Sequence, residues 1–222
     1  MKSRVALITG ASRGIGAAIA ARFRQDGARV LTPTRAELDL LSDESVDSFL
    51  SQLNTDVDVL VHCAGINVLG GGTEFSDEDL HAMLQVNLTA PLRLTRTLAR
   101  GMMARRYGRI VNISSIWSVV AKPRRAVYSA TKAALNGLTR ALAVELAPYQ
   151  VLVNAVAPGY TDTELTRRNN PPAELEAIAQ TIPLRRMARP AEVAEVVGFL
   201  GSEHNSYMTG QVVIVDGGYS CL

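Results

Sequence analysis

The chain has 222 residues, of which 47% are hydrophobic and 20% charged, and its formal net charge is +2. This composition argues against a disordered chain, and the length suits one α/β domain spanning residues 1–222. Because there is no run of eighteen apolar residues and no segment of signal-peptide character, we expect a cytoplasmic protein without a membrane partner.

The first predicted element is the apolar run RVALITG, which leads into the glycine-rich turn TGASRGIG at residues 9–16. Apolar residues then recur at helical spacing until Gly27, so the segment predicts a strand, a turn and a helix. The glycines permit positive φ and close backbone approach, and the helix start offers unpaired N–H groups and the positive end of its dipole. We interpret the turn as a binding site for a dinucleotide pyrophosphate; tight packing alone is the alternative.

The second strand, RVLTP at residues 29–33, is followed too soon by ELDL at residues 37–40. A helical crossover between parallel strands needs about a dozen residues, so a helix is missing here. Either ELDL is a very short third strand reached by a bare loop, which we favour, or the sheet lacks this strand.

The end of the second strand also bears on cofactor choice. Enzymes that use NAD place an Asp or Glu here to accept hydrogen bonds from the ribose, but this chain has no carboxylate before Glu37. Arg13 in the turn and Arg35 after the strand could instead clamp a 2′-phosphate, to which guanidinium geometry is suited. The pattern favours NADP over NAD, unless both arginines are ordinary solvated charges.

Four further strands alternate with helices along the rest of the chain. The predicted strands lie in VDVLVHCAG, GRIVNISS, VLVNAVAPG and GQVVIVDGG, and the predicted helices lie near residues 76–84, 90–106, 128–147 and 190–201. Continuous β-branched runs separated by helices indicate a doubly wound α/β protein, in which a parallel sheet is covered on both faces.

The two cysteines, Cys63 and Cys221, lie far apart in the sequence and predict reduced thiols. His62 precedes Cys63, but neighbouring residues of a strand point to opposite faces, so we expect no metal site.

The middle of the chain is basic, with eleven Lys and Arg residues and no acidic one between Asp79 and Glu145. A nucleic-acid surface would need these charges on one face beside aromatic residues, whereas here they are spread over two helices, a strand and a loop. We therefore expect no nucleic-acid partner. An anionic substrate, cofactor or carrier would explain the charge, as would a solvated or subunit-facing helix surface.

The sequence YSATK places Tyr128 and Lys132 four residues apart, on the same side of a predicted helix. A nearby ammonium favours the phenolate and lowers its pKa, so the pair could exchange a proton with a carbonyl or an alcohol. A tyrosine beside a surface lysine is the alternative. Ser114 and Ser115 end a predicted strand, and open α/β sheets bind ligands in the crevice at such strand ends.

These segments together resemble the short-chain dehydrogenase/reductase family over nearly the whole chain. The matching motifs occur in family order: Thr9-Gly10-x-x-x-Gly14-x-Gly16, QVNLTAP with Asn87, IVNISS, YSATK, NAVAPG and TGQVVIVDGG. The resemblance implies a Rossmann fold and hydride transfer between a nicotinamide cofactor and a carbonyl or secondary alcohol. The chain departs from the family where it reads His62-Cys63-Ala64-Gly65 instead of Asn-Asn-Ala-Gly.

The resemblance also implies roles for single residues. Tyr128 would exchange the proton, Lys132 would lower its pKa and bind the nicotinamide ribose, and Ser115 would hold the carbonyl. Asn87 would place a water that links Lys132 to solvent, and Ser114 would be structural. The predicted cofactor contacts are Gly10, Ser12, Arg13, Gly14, Ile15, Gly16, Arg35, Asp39, Leu40, Ala64, Gly65, Tyr128, Lys132, Pro158, Gly159 and Thr161.

Two segments would border the substrate. The loop at residues 116–127 offers one apolar wall and three cations, which are Trp117, Lys122, Arg124 and Arg125. Residues 162–189 are polar and broken by prolines, which is typical of a lid. The family resemblance extends to 3-oxoacyl-[acyl-carrier-protein] reductase-like members. We therefore expect a 3-oxoacyl thioester or another anionic ketone, with exposed loop arginines as the plainer explanation of the charge.

Two other functions are compatible with the same fold. A sugar-nucleotide-modifying enzyme would need a larger substrate domain than residues 162–189 provide, and a non-catalytic nucleotide-binding regulator would usually lack one of Ser115, Tyr128 or Lys132. The two central helices, predicted near residues 90–106 and 128–147, carry more small and apolar residues than one face of the sheet needs. Members of the family commonly associate through these helices and the last strand. We expect a homotetramer or a homodimer.

Overall fold

A computed structural model describes residue 1 and residues 3–222, and it contains one six-stranded parallel sheet. The strands are β1 (Val5–Thr9), β2 (Arg29–Leu31), β3 (Val59–His62), β4 (Gly108–Ile113), β5 (Val151–Pro158) and β6 (Val212–Val215). They are ordered β2-β1-β3-β4-β5-β6, which confirms six of the seven predicted strands; the exception is residues 37–40. The order reverses beside β1, and a crevice of this kind at the carboxyl ends of the strands is where α/β sheets bind ligands.

Helices cover both faces of the sheet. They are α1 (Gly14–Gln25), α2 (Asp43–Gln52), α3 (Asp77–Leu84), α4 (Ala90–Arg105), α5 (Ala126–Leu146), α6 (Glu164–Asn169), α7 (Pro172–Thr181) and α8 (Pro190–Gly201). On one face Phe23 of α1 is buried in the same cluster as Val61, and on the other Met102 of α4 is buried with Leu60. Adjacent residues of β3 thus point into two different layers, which confirms the doubly wound Rossmann class.

The favoured expectation of a third strand at residues 37–40 is wrong. Between residues 32 and 42 the chain forms turns and loop without a strand or a helix, so the missing helix is confirmed and the sheet lacks this strand. Leu38 and Leu40 are only 5% and 8% exposed, because they pack in a cluster with the apolar sides of α2 and α4. Packing against α2 and α4 therefore buries Leu38 and Leu40 without a strand at this position.

The connection from β5 to α8 adjoins the turn after β1. It contains α6 and α7, and a Cβ at Gly14 would lie 3.3 Å from Cγ2 of Thr163 at the start of α6.

Within the described residues, no helix is long and apolar enough to cross a bilayer, and no group of three or more His, Cys, Asp or Glu side chains could hold a metal ion.

Candidate active site

The turn after β1 depends on glycine at two positions. Gly10 has a φ of 69°, and a Cβ there would lie 2.7 Å from the backbone N and Cα of Ala64. A Cβ at Gly16 would overlap the carbonyl oxygen of Gly10. Thr9 Oγ1 accepts hydrogen bonds from the N–H groups of Cys63 and Ala64, each at 3.2 Å. The turn is therefore packed too closely onto itself and onto the end of β3 for side chains at either glycine.

Helix α1 starts at this turn without a side-chain cap. Arg13 is its N-cap residue, and the arginine side chain makes no capping hydrogen bond. The first-turn residues Gly14, Ile15 and Gly16 line a cleft at the carboxyl ends of the strands. Uncapped N–H groups and the positive end of a helix dipole, exposed in a cleft, form a ready binding site for phosphate.

Asn87 lies on a π-helical turn, Gln85–Thr89, between α3 and α4, and it is 1% exposed. Its Oδ1 accepts the N–H of Ile66 at 2.9 Å, and its Nδ2 donates to the Ile66 carbonyl at 2.9 Å and to Thr131 Oγ1 at 3.1 Å. A π-turn inserts one residue into a helix and often marks a functional site. Asn87 thereby joins the loop after β3 to α5, next to Lys132.

Lys132 is 4% exposed, and its Nζ donates a hydrogen bond to the carbonyl oxygen of Ile113 at 2.8 Å. A Cβ at Gly65 would lie 3.4 Å from this Nζ. Burial lowers the pKa of Lys132 to about 8. An ammonium has three donors, and no second hydrogen bond from Nζ occurs among the described residues, so two donors are available to a ligand.

Tyr128 lies one turn before Lys132, and the lysine Nζ is 5.7 Å from the centroid of the phenol ring. The two side chains share a side of α5, as their spacing predicted. The expected lowering of the tyrosine pKa by Lys132 is not found: burial raises the pKa of Tyr128, and the nearby Ser115 hydroxyl and the charge of Arg125 oppose this only in part. The phenol is protonated at neutral pH and is therefore a proton donor in this state.

The two serines after β4 have different partners. Ser115 Oγ accepts the N–H of Trp117 at 3.2 Å and lines the cleft. Ser114 Oγ donates to the backbone carbonyl of Lys132 at 3.3 Å and so fixes α5 against the end of β4. Both serines line the cleft, but the Ser114 hydroxyl donates within the fold, whereas the Ser115 hydroxyl donates no hydrogen bond among the described residues and can donate to a ligand.

One cleft brings most of the predicted site residues together. It is lined by Gly10, Arg13, Gly14, Ile15, Gly16, Gly65, Ser115, Tyr128, Lys132, Pro158, Gly159 and Thr161. The predicted residues outside its lining are Ser12, Arg35, Asp39, Leu40, Ala64 and Asn87. Ala64 packs against Gly10 of the cleft lining, and Asn87 hydrogen-bonds to Ile66 and Thr131 next to the lining residues Gly65 and Lys132. Leu40 is instead buried in the cluster beside α2.

Both arginines of the predicted phosphate clamp pair with carboxylates. Arg13 Nη1 lies 2.7 Å from Oε1 of Glu164 on α6, and Arg35 Nε lies 3.2 Å from Oδ2 of Asp39. Both arginines are largely exposed, and exposed ion pairs contribute only ~0–1 kcal/mol. A phosphate could therefore displace either carboxylate at little cost.

His62 and Cys63 point to opposite faces of the sheet, as expected. The Nε2 atom of His62 is 2.8 Å from Thr95 Oγ1 of α4, while Cys63 packs with the α1 and α8 layer and lines the cleft. Burial lowers the pKa of His62 to about 3 and raises that of the Cys63 thiol to about 12. Both side chains are therefore neutral at pH 7.

Two aromatic rings, Trp117 and Tyr160, line the far end of the cleft, and a third, Tyr219, packs against both of them. Trp117, Tyr160 and Tyr219 pack edge to face, with ring centroids 5.7 to 6.0 Å apart. The sequence predicted only Trp117 in this role. Tyr160 and Tyr219 are single aromatic residues that follow the ends of β5 and β6, and no periodicity distinguishes them from loop residues.

The three cations of the loop at residues 116–127 differ in their surroundings. Lys122 Nζ donates to the hydroxyl of Tyr160 at 2.8 Å, and Arg124 is exposed to solvent. Arg125 is 4% exposed and lines the cleft, with its Cζ 5.3 Å from the centroid of the Trp117 ring. Of the three predicted cations, only Arg125 is both buried and part of the cleft lining.

Comparisons with known proteins agree with this geometry. The family model "Enoyl-(Acyl carrier protein) reductase" matches residues 32–220, and the model "short chain dehydrogenase" matches residues 4–42. Nodulation protein G of Rhizobium sp. (strain N33) is 41% identical, over 100% of this chain and 99% of the relative. The 3-oxoacyl-[acyl-carrier-protein] reductase FabG of Pseudomonas aeruginosa is 38% identical, over 98% of each chain.

A solved structure is also similar over the whole chain. The gluconate 5-dehydrogenase of Burkholderia cenocepacia J2315, in complex with NADP and tartrate, superimposes with a TM-score of 0.89 at 30% identity, covering 100% of this chain and 97% of that one. The chain belongs to the short-chain dehydrogenase/reductase family of NAD(P)-dependent oxidoreductases.

Proposed function

We propose that this protein is an NADP-dependent carbonyl reductase that acts reversibly on ketones and secondary alcohols. The observation that carries the proposal is that Ser115, Tyr128 and Lys132 line one cleft together with the glycine-rich turn. A non-catalytic nucleotide-binding regulator would usually lack one of these three side chains. A sugar-nucleotide-modifying enzyme would need more substrate-binding chain than residues 162–189 supply.

The residues of the cleft fit a dinucleotide. The closely packed glycines and the uncapped start of α1 offer N–H groups to a pyrophosphate. Lys132 offers two donors to a ribose, and Gly65 beside it leaves the room that a Cβ would fill. Bound NADPH would supply the hydride.

The chain's own groups would handle the proton. Tyr128 would donate it to the carbonyl oxygen during reduction, and burial favours this role because it raises the pKa of the phenol. Ser115 would hold the same oxygen by a hydrogen bond. Lys132 would pass protons toward solvent through a water placed by Asn87, whose side chain lies against the loop after β3.

Arg13 and Arg35 favour NADP over NAD. Each would exchange its carboxylate partner for the 2′-phosphate, to which a guanidinium offers two parallel donors. Asp39 and Leu40 would border the adenine end, and Pro158, Gly159 and Thr161 the nicotinamide. The B. cenocepacia relative was solved with NADP bound, which supports the same choice here.

The substrate would be a carbonyl compound. We propose that it enters beneath a lid formed by residues 162–189, and that the lid belongs to a single domain that spans residues 1–222. A 3-oxoacyl thioester is one candidate, because the P. aeruginosa relative is a 3-oxoacyl-[acyl-carrier-protein] reductase. Another anionic ketone is the second candidate, because Arg125 lies in the cleft.

We also propose a homotetramer or homodimer in the cytoplasm. Leu92 of α4 and Val144 of α5 are 41% and 77% exposed, so apolar surface is available on the two central helices for a second subunit. Both cysteines are free thiols, which is the state that a reducing compartment maintains. Light scattering on the purified protein would give the subunit number.

The function is tested by following NADPH absorbance with a panel of ketones, acyl thioesters and keto-sugars. Oxidation that needs a carbonyl substrate, and that disappears in Tyr128→Phe, is the expected result. Tight NADPH binding without oxidation by any compound would favour the regulator, and unchanged turnover in Tyr128→Phe would refute the assigned chemistry.

A further inference from the structure

Arg125 is a buried cation at the substrate end of the cleft. It is the N-cap residue of α5, three residues before Tyr128, and it is 4% exposed. It lines the same cleft as Ser115 and Tyr128. The charge of Arg125 acts on the phenol of Tyr128 and opposes the increase in its pKa, so the guanidinium lies near the proposed proton donor.

The guanidinium of Arg125 has no acceptor among the described residues. Its Nε is fully buried without a hydrogen-bond partner, and the titratable groups that act on it are the phenols of Tyr128, Tyr160 and Tyr219. The one carboxylate that lines the cleft, Glu164, pairs with Arg13 instead.

An unpaired buried cation is costly to a fold. Buried guanidinium groups are normally paired with a carboxylate, because burial removes the water that would otherwise solvate the charge. The face of Trp117, 5.3 Å from Cζ, offsets only part of this cost. A second unpartnered polar atom, Oδ1 of the buried Asn67, belongs to another residue lining the cleft.

We propose that Arg125 binds a carboxylate of the substrate, so that the enzyme reduces short oxo acids and oxidises the matching hydroxy acids. This inference rests on the proposed carbonyl reductase function and names its substrate class. A carboxylate can accept two parallel hydrogen bonds from one guanidinium, and its oxo group would then lie a few carbon atoms away, at Ser115 and Tyr128. A thioester carries no such charge and would leave the guanidinium without an acceptor.

Trp117 provides a binding test that does not need turnover, because it is the only tryptophan of the chain and lies beside Arg125. The full-length protein, saturated with NADP, is titrated with malonate while Trp117 fluorescence is recorded. We expect a saturable change with malonate and none with dimethyl malonate. In Arg125→Gln the apparent Kd for malonate should rise about 10-fold or more, as for loss of a charge-assisted hydrogen bond.

Arg124→Gln is the matched control, because it removes the same charge from the adjacent, solvent-exposed position. It should keep the malonate response. Arg125→Lys, which retains the cation but not the planar fork, should weaken binding less than Arg125→Gln does. Equal malonate affinity in Arg125→Gln and the wild type, or tighter binding of inorganic phosphate than of malonate, would overturn the carboxylate site.

A second experiment measures turnover. It compares two substrates on the wild-type enzyme, so it remains possible if Arg125→Gln does not fold. With NADPH, kcat/KM for acetoacetate should exceed that for methyl acetoacetate by about 30-fold or more, since the ester lacks the charged group. Equal rates on acid and ester would refute the inference and leave the carbonyl reductase function standing. A malonate response without turnover of any carbonyl compound would refute the function and leave the anion site standing.

Discussion

Lys132 Nζ donates a hydrogen bond to the carbonyl oxygen of Ile113, so the ammonium is fixed at the end of β4 by a single backbone contact. Lys132→Met should lower kcat/KM by about 100-fold or more, because both the ribose donors and the proposed path for protons toward solvent are lost. The variant should still fold, since it removes a buried charge.

The stability of Lys132→Met as a function of pH gives an independent check. The folded-state pKa of about 8 lies below the ordinary value of 10.5, so the unfolded chain binds more protons between these values. The unfolding free energy of the wild type should therefore increase, relative to that of Lys132→Met, as the pH rises from about 8 to 10.5. A constant difference would contradict the burial of the ammonium.

Tyr128→Phe should reduce kcat by about 100- to 10,000-fold in both directions while leaving NADPH binding in place. Because burial raises the pKa of Tyr128, the wild-type rate of ketone reduction should stay level through neutral pH. Alcohol oxidation needs the phenolate, so its rate should increase with pH. A reduction rate that falls between pH 6 and 7, below the pKa of about 8 of Lys132, would contradict the protonated phenol.

Gly16→Ala should abolish dinucleotide binding and destabilise the fold by about 2 kcal/mol or more, because its Cβ would overlap the Gly10 carbonyl oxygen. Gly137→Ala is the control: a Cβ there meets nothing within 4 Å in the middle of α5. Alanine in a helix interior should add about 0.5–1 kcal/mol of stability, with cofactor affinity unchanged. Thermal unfolding and NADPH titration measure both effects.

Arg13→Ser and Arg35→Ser should each raise the KM for NADPH about 10-fold or more and leave the KM for NADH unchanged, because only NADPH carries the 2′-phosphate. Glu164→Gln releases Arg13 from its carboxylate and should tighten NADPH binding by about 2- to 5-fold, the size of an exposed ion pair. If NADH and NADPH respond equally in both arginine variants, the clamp does not exist.

His62→Asn should make the protein less sensitive to acid. Burial holds the pKa of His62 near 3, below its ordinary 6.5, so the unfolded chain takes up the extra proton as the pH falls and stability is lost. Between pH 7 and 4.5 this loss is about 2–3 kcal/mol for one histidine. Urea unfolding at the two pH values should show a smaller loss in the variant, and an equal loss would place the histidine in contact with water.

The strands and the site core were predictable because their signals are local and redundant. Each inner strand contains a short apolar, mostly β-branched run, and the turn at residues 9–16 combines three glycines with a following helix. The spacing of Tyr128 and Lys132 fixes their common side on any helix.

What the sequence did not predict depends on contacts between distant segments. Leu38 and Leu40 are spaced as in a strand, and only the presence of α2 and α4 decides that they pack against helices. Helix α2 itself buries one residue, Val46, so its periodicity is faint, although Ser42 accepts the N–H of Ser45 as an N-cap. For the same reason nothing in the loop sequence distinguishes the buried Arg125 from the exposed Arg124.

Without a strand at residues 37–40, β2 is left as one border of the sheet. An open border offers unpaired backbone groups to strands of other molecules and is a common starting point for aggregation. Here the border is only three residues long, it begins with the exposed Arg29, and Pro33, which has no N–H to donate, follows shortly after it. The exposed border of the shortened sheet therefore offers a strand of another molecule few backbone groups to pair with.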